Sequence, residues 1–319
     1  MGMKQMSVII ETNGLSKTFN GIQALKPLNL KVRKNSIFGF LGPNGAGKTT
    51  TMKLLLGLIR PTNGSGTIFG HDIVQDNINI RARIGYLPQD LDIKTLEHLT
   101  ARELLRFAAR FYFKGPKQMI EDRVQEMLDL VSLSEKADRP IRGYSGGEVQ
   151  RLGIAQAQIN YPDLLILDEP AASLDPIGRR DVLEVMERLR KYTTIFYSTH
   201  ILDDVQKVSD SVAILNKGEL IAQGSIDELL AGSEGLIYNV KIKGDTTKAY
   251  NYISKKTWIT EINILEKNGY TTWQVGVNDS TLAEQQLLRL LLKDEQLRVI
   301  EFQQKSFELE DVFLNLVEG

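Results

Sequence analysis

Residues 41–50 read LGPNGAGKTT. Glycines stand at 42, 45 and 47, a lysine at 48, and threonines at 49, 50 and 51. Positions 42–49 carry the spacing G-x-x-x-x-G-K-[ST], in which flexible backbone can turn its N–H groups toward phosphate oxygens. A glycine-rich turn that merely opens a helix would carry the same letters, so the flanks decide. Upstream, SIFGFL (36–41) is short, apolar and β-friendly, which predicts a buried strand. Downstream, KTTTMKLLLGLIRP has apolar residues at Met52, Leu54, Leu55, Leu56, Leu58 and Ile59, a helix expected to end at Pro61. Strand, glycine loop and helix together make a phosphate cradle. In it Gly42, Pro43, Asn44, Gly45, Ala46 and Gly47 surround the phosphates, with Thr50 beside them. Lys48 reaches the β- and γ-phosphates, and the Thr49 hydroxyl ligates Mg²⁺.

The size and composition of the chain set limits on what surrounds this loop. The length of 319 residues suggests two domains, and 42% apolar with 25% charged residues is an ordinary globular balance. The absence of cysteine excludes disulfides, thiolate metal sites and a thiol nucleophile. Net charge is −1 without a basic block, so no nucleic-acid footprint is expected. The opening MGMKQMSVIIETNG turns polar too soon for a signal peptide. Apolar runs such as LLLGLI (54–59) fall far short of a membrane span, so any membrane role should come through a partner.

A second motif adds chemistry. LLILDEP (164–170) ends an apolar run in two adjacent acids, as a buried parallel strand does at the end where ligands sit. Asp168 is placed for a Mg²⁺ shell, and Glu169 can orient and deprotonate a water. A solvated acidic turn accounts for one acid better than for two. TTIFYSTH (193–200) reads as the next strand, ending in His200. Between the two, IGRRDVLEVMERLRKY predicts an amphipathic helix with Ile177, Val182, Val185, Met186 and Leu189 on its buried side. The βαβ unit should bring both strand ends to one crevice, with His200 near the γ-phosphate.

YSGGEVQR (144–151) then supplies a second glycine-bearing helix start, which a single nucleotide site does not need. With it, residues 7–228 resemble the ATP-binding cassette (ABC) ATPases. The matching positions run in the family's order. Phe19 matches the adenine-stacking aromatic, 42–49 the P-loop, and Gln89 the Q-loop glutamine. Ser145, Gly146, Gly147 and Glu148 match the signature, and Asp168 with Glu169 the Walker B acids. SLDP (173–176), containing Asp175, matches the D-loop, and His200 the switch histidine.

The resemblance implies an α/β P-loop NTPase core over residues 1–230, with a helical subdomain at about 90–150. It implies ATP and Mg²⁺ as ligands, with Thr49, Gln89 and Asp168 serving the metal and Lys48, Gln89, Glu169 and His200 the catalysis. It also implies a head-to-tail pair of cassettes, a homodimer by expectation, in which Ser145, Gly146 and Gly147 meet the γ-phosphate on the partner. Separate transmembrane permease subunits would hold the pair at the cytoplasmic face of the membrane. The usual LSGGQ is YSGGE here, so Glu148 adds a negative charge and its own contact is open. Phe19 stands where tyrosine is usual. A soluble ABC ATPase acting on nucleic acid or the ribosome is the alternative; one cassette and a balanced charge argue against it.

TARELLRFAARFY and KQMIEDRVQEMLDLV predict two helices of the helical subdomain. AGSEG (231–235) reads as a linker to a domain spanning 231–319. LIYNVKIKG, TTKAYNYISKK, ITEINILE, TTWQVGVN, STLAEQQLLRLLLKDEQ and LRVIEFQQ there follow the ferredoxin-like order β-α-β-β-α-β. Asn268-Gly269 signals a hairpin, and Leu282, Leu287, Leu290 and Leu291 the apolar side of the second helix. FELEDVFLNLVEG predicts a last short helix, with Leu309, Val312, Phe313 and Leu316 packing onto its own domain. That ending resembles accessory domains of ATPases of ABC-2-type exporters, the drug, antibiotic and sodium-efflux group.

Overall fold

Apolar runs that do not alternate need cover on both faces of a sheet, and the central strands of this chain have it. The computed structural model describes residues 7–91, 96–231, 236–267, 269–294 and 296–305, with Leu309 and Phe313. The first half opens with β1 (Val8–Phe19), β2 (Ile22–Leu28), β3 (Lys31–Arg33), β4 (Ile37–Leu41) and α1 (Lys48–Leu55). It continues through β5 (Asn63–Ile68), β6 (His71–Asp72), α2 (Asn77–Arg81) and β7 (Ile84–Leu87). Three helices follow, α3 (Ala101–Tyr112), α4 (Lys117–Leu130) and α5 (Gly146–Ala157). Then come β8 (Leu164–Leu167), α6 (Pro176–Leu189), β9 (Thr194–Thr199) and α7 (Leu202–Val208). β10 (Ser211–Asn216), β11 (Glu219–Ser225) and α8 (Ile226–Ala231) complete the series.

The main sheet has the order β11-β10-β4-β9-β8-β7. From β10 to β7 its strands pair in parallel, with Leu41 opposite Thr199, Leu167 opposite Tyr197 and Leu87 opposite Leu167. Every residue of β4, β8 and β9 is buried. Phe38 and Phe40 both pack on Phe196, at centroid distances of 5.7 and 5.3 Å. A second, antiparallel sheet of β1, β2, β3, β5 and β6 shares the same apolar core through Ile10, Leu25 and Ile68. Because the four central strands run the same way, their carboxyl ends form one edge, where the loops of interest emerge.

Two readings of the sequence are corrected. α1 stops at Leu55, well before Pro61. Gly57 takes a left-handed φ of +62°, its N–H donates to Leu54 O, and Leu58 N–H donates to Lys53 O. This is a Schellman stop, which needs the conformation glycine adopts without steric cost. Ile177 is exposed; it lies in the first turn of α6, while Val182, Leu183, Val185, Met186 and Leu189 take the buried side.

Contacts divide the chain into two compact units, the second being Asp227–Asn315. It contains β12 (Leu236–Lys243), α9 (Thr247–Ile253), β13 (Ile259–Lys267), β14 (Tyr270–Val277), α10 (Ser280–Leu291) and β15 (Arg298–Lys305). Its sheet order β13-β14-β12-β15 is the ferredoxin-like arrangement. Lys267 pairs with Tyr270 across the hairpin turn, where Gly269 has φ +75°; Asn268 lies outside the described residues. Tyr238, Val240, Trp273 and Val275 pack on Ala249, Ile253, Leu287 and Leu291. Leu282 is half-buried, and Leu290 is buried as expected. The last helix falls almost entirely outside the described residues, as do 232–235 of the linker; Leu309 is buried and Phe313 half-buried.

β7 meets the helix α5 without any side chain between them at Gly85. A Cβ there would lie 2.0 Å from Ala157 O and 2.6 Å from Leu165 Cδ2. Gly85→Ala should therefore destabilise the first unit by about 1–3 kcal/mol. That lowers its melting temperature by roughly 3–10 °C, measurable by calorimetry. An unchanged transition would mean α5 is free to move off the sheet.

Candidate active site

The phosphate loop joins β4 to α1, and its backbone is held too tightly for side chains. Gly47 has φ +102° and caps α1, and a Cβ on it would sit 2.8 Å from Ala24 O. A Cβ on Gly42 would lie 2.3 Å from Leu215 O. Thr51 N–H is bonded to Gly47 O, so the N–H groups of Lys48, Thr49 and Thr50 precede the first intrahelical bond and face outward. The helix start adds partial positive charge there. A cleft of about 350 Å³ opens over this loop. It is lined by Asn44, Gly45, Gly47, Lys48, Thr49 and Thr50, with Ala24, Gln89 and Glu169.

The adjacent strands deliver the rest. Glu169 follows β8 with φ +50°, a conformation rare outside glycine, and its side chain is 5% exposed. Its Oε1 is 3.1 Å from Lys48 Nζ, and its Oε2 is 3.0 Å from His200 Nδ1. The first of these is an ion pair without good hydrogen-bond alignment. Lys48 also donates to Gly42 O at 2.6 Å and Pro43 O at 3.2 Å. Lys48, Glu169 and His200 thus form one chain of contacts drawn from three strand ends. Asp168 is buried beside them. Ser198 donates to its Oδ1 at 2.6 Å, while its Oδ2 has no hydrogen-bond partner among the described residues. Burial, then the nearby Asp168 charge, push the Tyr86 hydroxyl up to about 12.

Three contributors were not singled out in the sequence. Ser198 accepts from Glu169 N–H at 2.9 Å while donating to Asp168, so one hydroxyl fixes both acids. Arg179 binds Asp204 Oδ1 at 2.5 Å and Asp203 Oδ2 at 3.1 Å. It thereby joins the helix after Asp175 to the helix after His200. Burial raises the Asp204 carboxyl, and Arg179 opposes the rise. Ala24 lines the cleft from β2. The adjacent acids 203–204 at a helix start were the available sequence signal for Arg179; an isolated serine offered none for Ser198.

Other expected site residues stand apart from the cleft. Phe19 does not line it; it is exposed beside the Asn20-Gly21 turn, with Lys17 Nζ 4.9 Å from its ring centre. It is therefore not a core aromatic. Ala46 is buried beneath the loop. Asp175 accepts from Gly178 N–H at 2.8 Å as the cap of α6. Ser145 and Gly146 are exposed at the start of α5 and do not line the cleft either, whereas Gly147, expected to be available with them, is buried against Gly178 of α6. Glu148 is buried, its carboxylate turned back on the Ser145 N–H, so it is engaged within its own helix start.

Two separate phosphate-type helix starts in one chain, with the acid–histidine pair beside only one of them, is a decisive combination. Residues 25–172 match the family model described as ABC transporter. The uncharacterised ABC transporter ATP-binding protein YxlF of Bacillus subtilis is 35% identical over 97% of this chain and 99% of its own. The chain belongs to the ABC transporter ATP-binding proteins. As a member it is an ATP-binding, ATP-hydrolysing α/β P-loop protein. The daunorubicin/doxorubicin resistance ATP-binding protein DrrA of Streptomyces peucetius is 33% identical, covering 96% of this chain and 92% of its own. Among solved structures, cbiO1 of Clostridium perfringens, part of the ABC transporter complex cbiONQ, superposes with TM-score 0.65 at 29% identity. It covers 70% of this chain and 91% of its own.

Within this ABC protein a second, largely apolar groove of about 500 Å³ lies between β7 and α3. Phe107, Phe111 and Tyr112 line it and are exposed, the two phenylalanines meeting edge to face at 5.1 Å. Tyr86 lines it from the sheet.

Ser198→Ala removes one bond to each acid. Turnover should fall about tenfold with little change in ATP binding, which kcat and Kd measured separately would reveal; two hydrogen bonds of ordinary strength are of that size. Unchanged turnover would show that Asp168 and Glu169 hold their places without it.

Proposed function

We propose that the chain is the ATP-hydrolysing subunit of an ABC exporter, working as a dimer of cassettes on separate membrane subunits. The observation that carries the chemistry is Glu169 held between Lys48 and His200 at the mouth of the phosphate loop. In this reading the loop N–H groups and Lys48 bind the β- and γ-phosphates of ATP. Lys48 exchanges part of its contact with Gly42 O, Pro43 O and Glu169 for phosphate oxygen. Glu169 orients a water and takes its proton. His200, hydrogen-bonded to Glu169, steadies that carboxylate and the γ-phosphate. Phe19 stacks on the adenine from the exposed end of β1.

The donors at the cleft fit Mg²⁺, which prefers hard oxygen and keeps several ligands from water and phosphate. The buried, unpartnered Asp168 Oδ2 supports this, with the Thr49 hydroxyl and the Gln89 amide oxygen as further donors. When bound, the ion would neutralise charge developing on the phosphates. Among the described residues no group of three or more His, Cys, Asp or Glu is arranged to hold a metal ion by itself, and a nucleotide-borne Mg²⁺ needs none.

The exposed Ser145 and Gly146, outside this chain's own cleft, support a head-to-tail dimer in which they meet the partner's γ-phosphate. Asp175 would sit at that same junction. No described helix is long and apolar enough to cross a membrane. The apolar groove at Phe107, Phe111 and Tyr112 is the surface we assign to a helix from a membrane subunit, which would place the chain at the cytoplasmic face. The drug-resistance role of the similar protein DrrA and the stretch FELEDVFL support export. Residues 231–319 would then be an accessory domain that stabilises or gates the dimer.

Glu169→Gln should bind ATP, turn over on the order of a hundredfold more slowly or worse, and accumulate as an ATP-dependent dimer in light scattering. Normal turnover would remove Glu169 from the role of base. Phe111→Asp should leave ATP binding by the purified chain intact while abolishing co-purification with its membrane subunit from native membranes. Retention of a multi-span protein in stable ratio by this variant would move the docking surface elsewhere.

A further inference from the structure

The signature of this chain carries an acid where an amide is usual, and that acid is buried. Glu148 is the third residue of α5, 8% exposed, at a helix start that has to accept a phosphate. An uncompensated carboxylate there would oppose the partial positive charge that makes the helix start useful. The surrounding atoms answer this directly. Glu148 Oε2 accepts from Ser145 N–H at 2.8 Å, and Glu148 N–H donates to Ser145 Oγ at 3.3 Å. This capping box spends one carboxylate oxygen on the backbone of the signature serine. The other oxygen, Oε1, is ion-paired with Lys136 Nζ.

Lys136 closes the short 3₁₀ turn Ser134–Lys136, which precedes the signature. It is tied to the motif a second time, since Tyr144 OH donates to Lys136 O at 2.6 Å. The first and last residues of YSGGE therefore both grip the same lysine. Burial pushes the Glu148 carboxyl up, but Lys136, the Ser145 N–H and the more distant Arg151 together hold it below its ordinary range. Arg151 is itself engaged with Val131 O and Asp181. At neutral pH the acid is thus charged, and Lys136 is its one direct ionic partner among the described residues.

We propose that Lys136 is a positioning residue for the signature. Its ammonium cancels the Glu148 charge and keeps that carboxylate bonded to the Ser145 N–H, so the exposed start of α5 stays receptive to phosphate. This rests on the reading that Ser145 and Gly146 meet the partner's γ-phosphate. Removing the lysine leaves a charged, partly buried acid beside an incoming anion. Removing the acid as well makes the lysine dispensable.

The test is steady-state ATPase of the purified full chain against Mg-ATP concentration, with Gly146→Asp as the control on the signature itself. Lys136→Ala should raise the KM for ATP about tenfold, the effect of one uncompensated charge at partial burial, with kcat changed less than about twofold. Lys136→Ala combined with Glu148→Gln should restore the KM. A Lys136→Ala enzyme with unchanged KM, alongside an inactive Gly146→Asp, overturns the role of Lys136 and leaves the signature reading standing. A raised KM that Glu148→Gln fails to rescue also overturns it, because the lysine would then act other than through Glu148. Full activity of Gly146→Asp overturns the signature reading, and the role of Lys136 with it.

Discussion

A buried carboxylate has to be compensated, and at Glu169 the compensation organises the site. Its two oxygens face Lys48 Nζ and His200 Nδ1, groups that lie far apart along the chain. Neither could reach it if β4, β9 and β8 did not run in parallel with their ends in step. The strands keep that register because each is buried on both faces, where a slip would unpair backbone groups that water cannot reach. The left-handed backbone at Glu169 belongs to the same constraint, a local strain tolerated because hydrogen bonds on either side fix it.

Around this centre, positioning groups link loops that lie apart in sequence. Ser198 fixes Asp168 and Glu169 from the neighbouring strand, and Arg179 ties the segment after Asp175 to the segment after His200. Tyr86 lies between the apolar groove and the acids: it lines the one and feels the charge of the other. An occupant of the groove would therefore press on a strand that ends beside Gln89 and Asp168. That contiguity gives a physical route by which docking and hydrolysis could be coupled.

The signature is built differently. Gly146 leaves the start of α5 bare, while Gly147 is buried and lets that helix approach Gly178 of α6 closely, a Cβ there standing 3.0 Å from Gly178 Cα. The charge of Glu148 is neutralised from outside the helix by Lys136. A motif read as five letters is, in three dimensions, six residues with the lysine included.

Much was legible from spacing alone. The glycines at 42, 45 and 47, the double acid at 168–169 and the histidine at 200 each follow an apolar strand, because ligands gather at strand ends in parallel sheets. The hairpin at 267–270 and the ferredoxin-like order of the second unit followed from alternation and one Asn-Gly pair. Local patterns could not set where α1 ends, since a glycine in left-handed conformation stops it before the more conspicuous proline. They could not exclude Ile177 from the buried side, because periodicity does not say how far along a helix the core extends. Nor did they disclose Ser198, Arg179 or Lys136, whose partners lie across the sheet or in the next helix. The sequence by itself determined which chemical groups exist and which strand or helix end carries each, since those depend on short-range pattern. Only the tertiary structure decided which groups compensate one another, because burial of charge is a property of the packed whole.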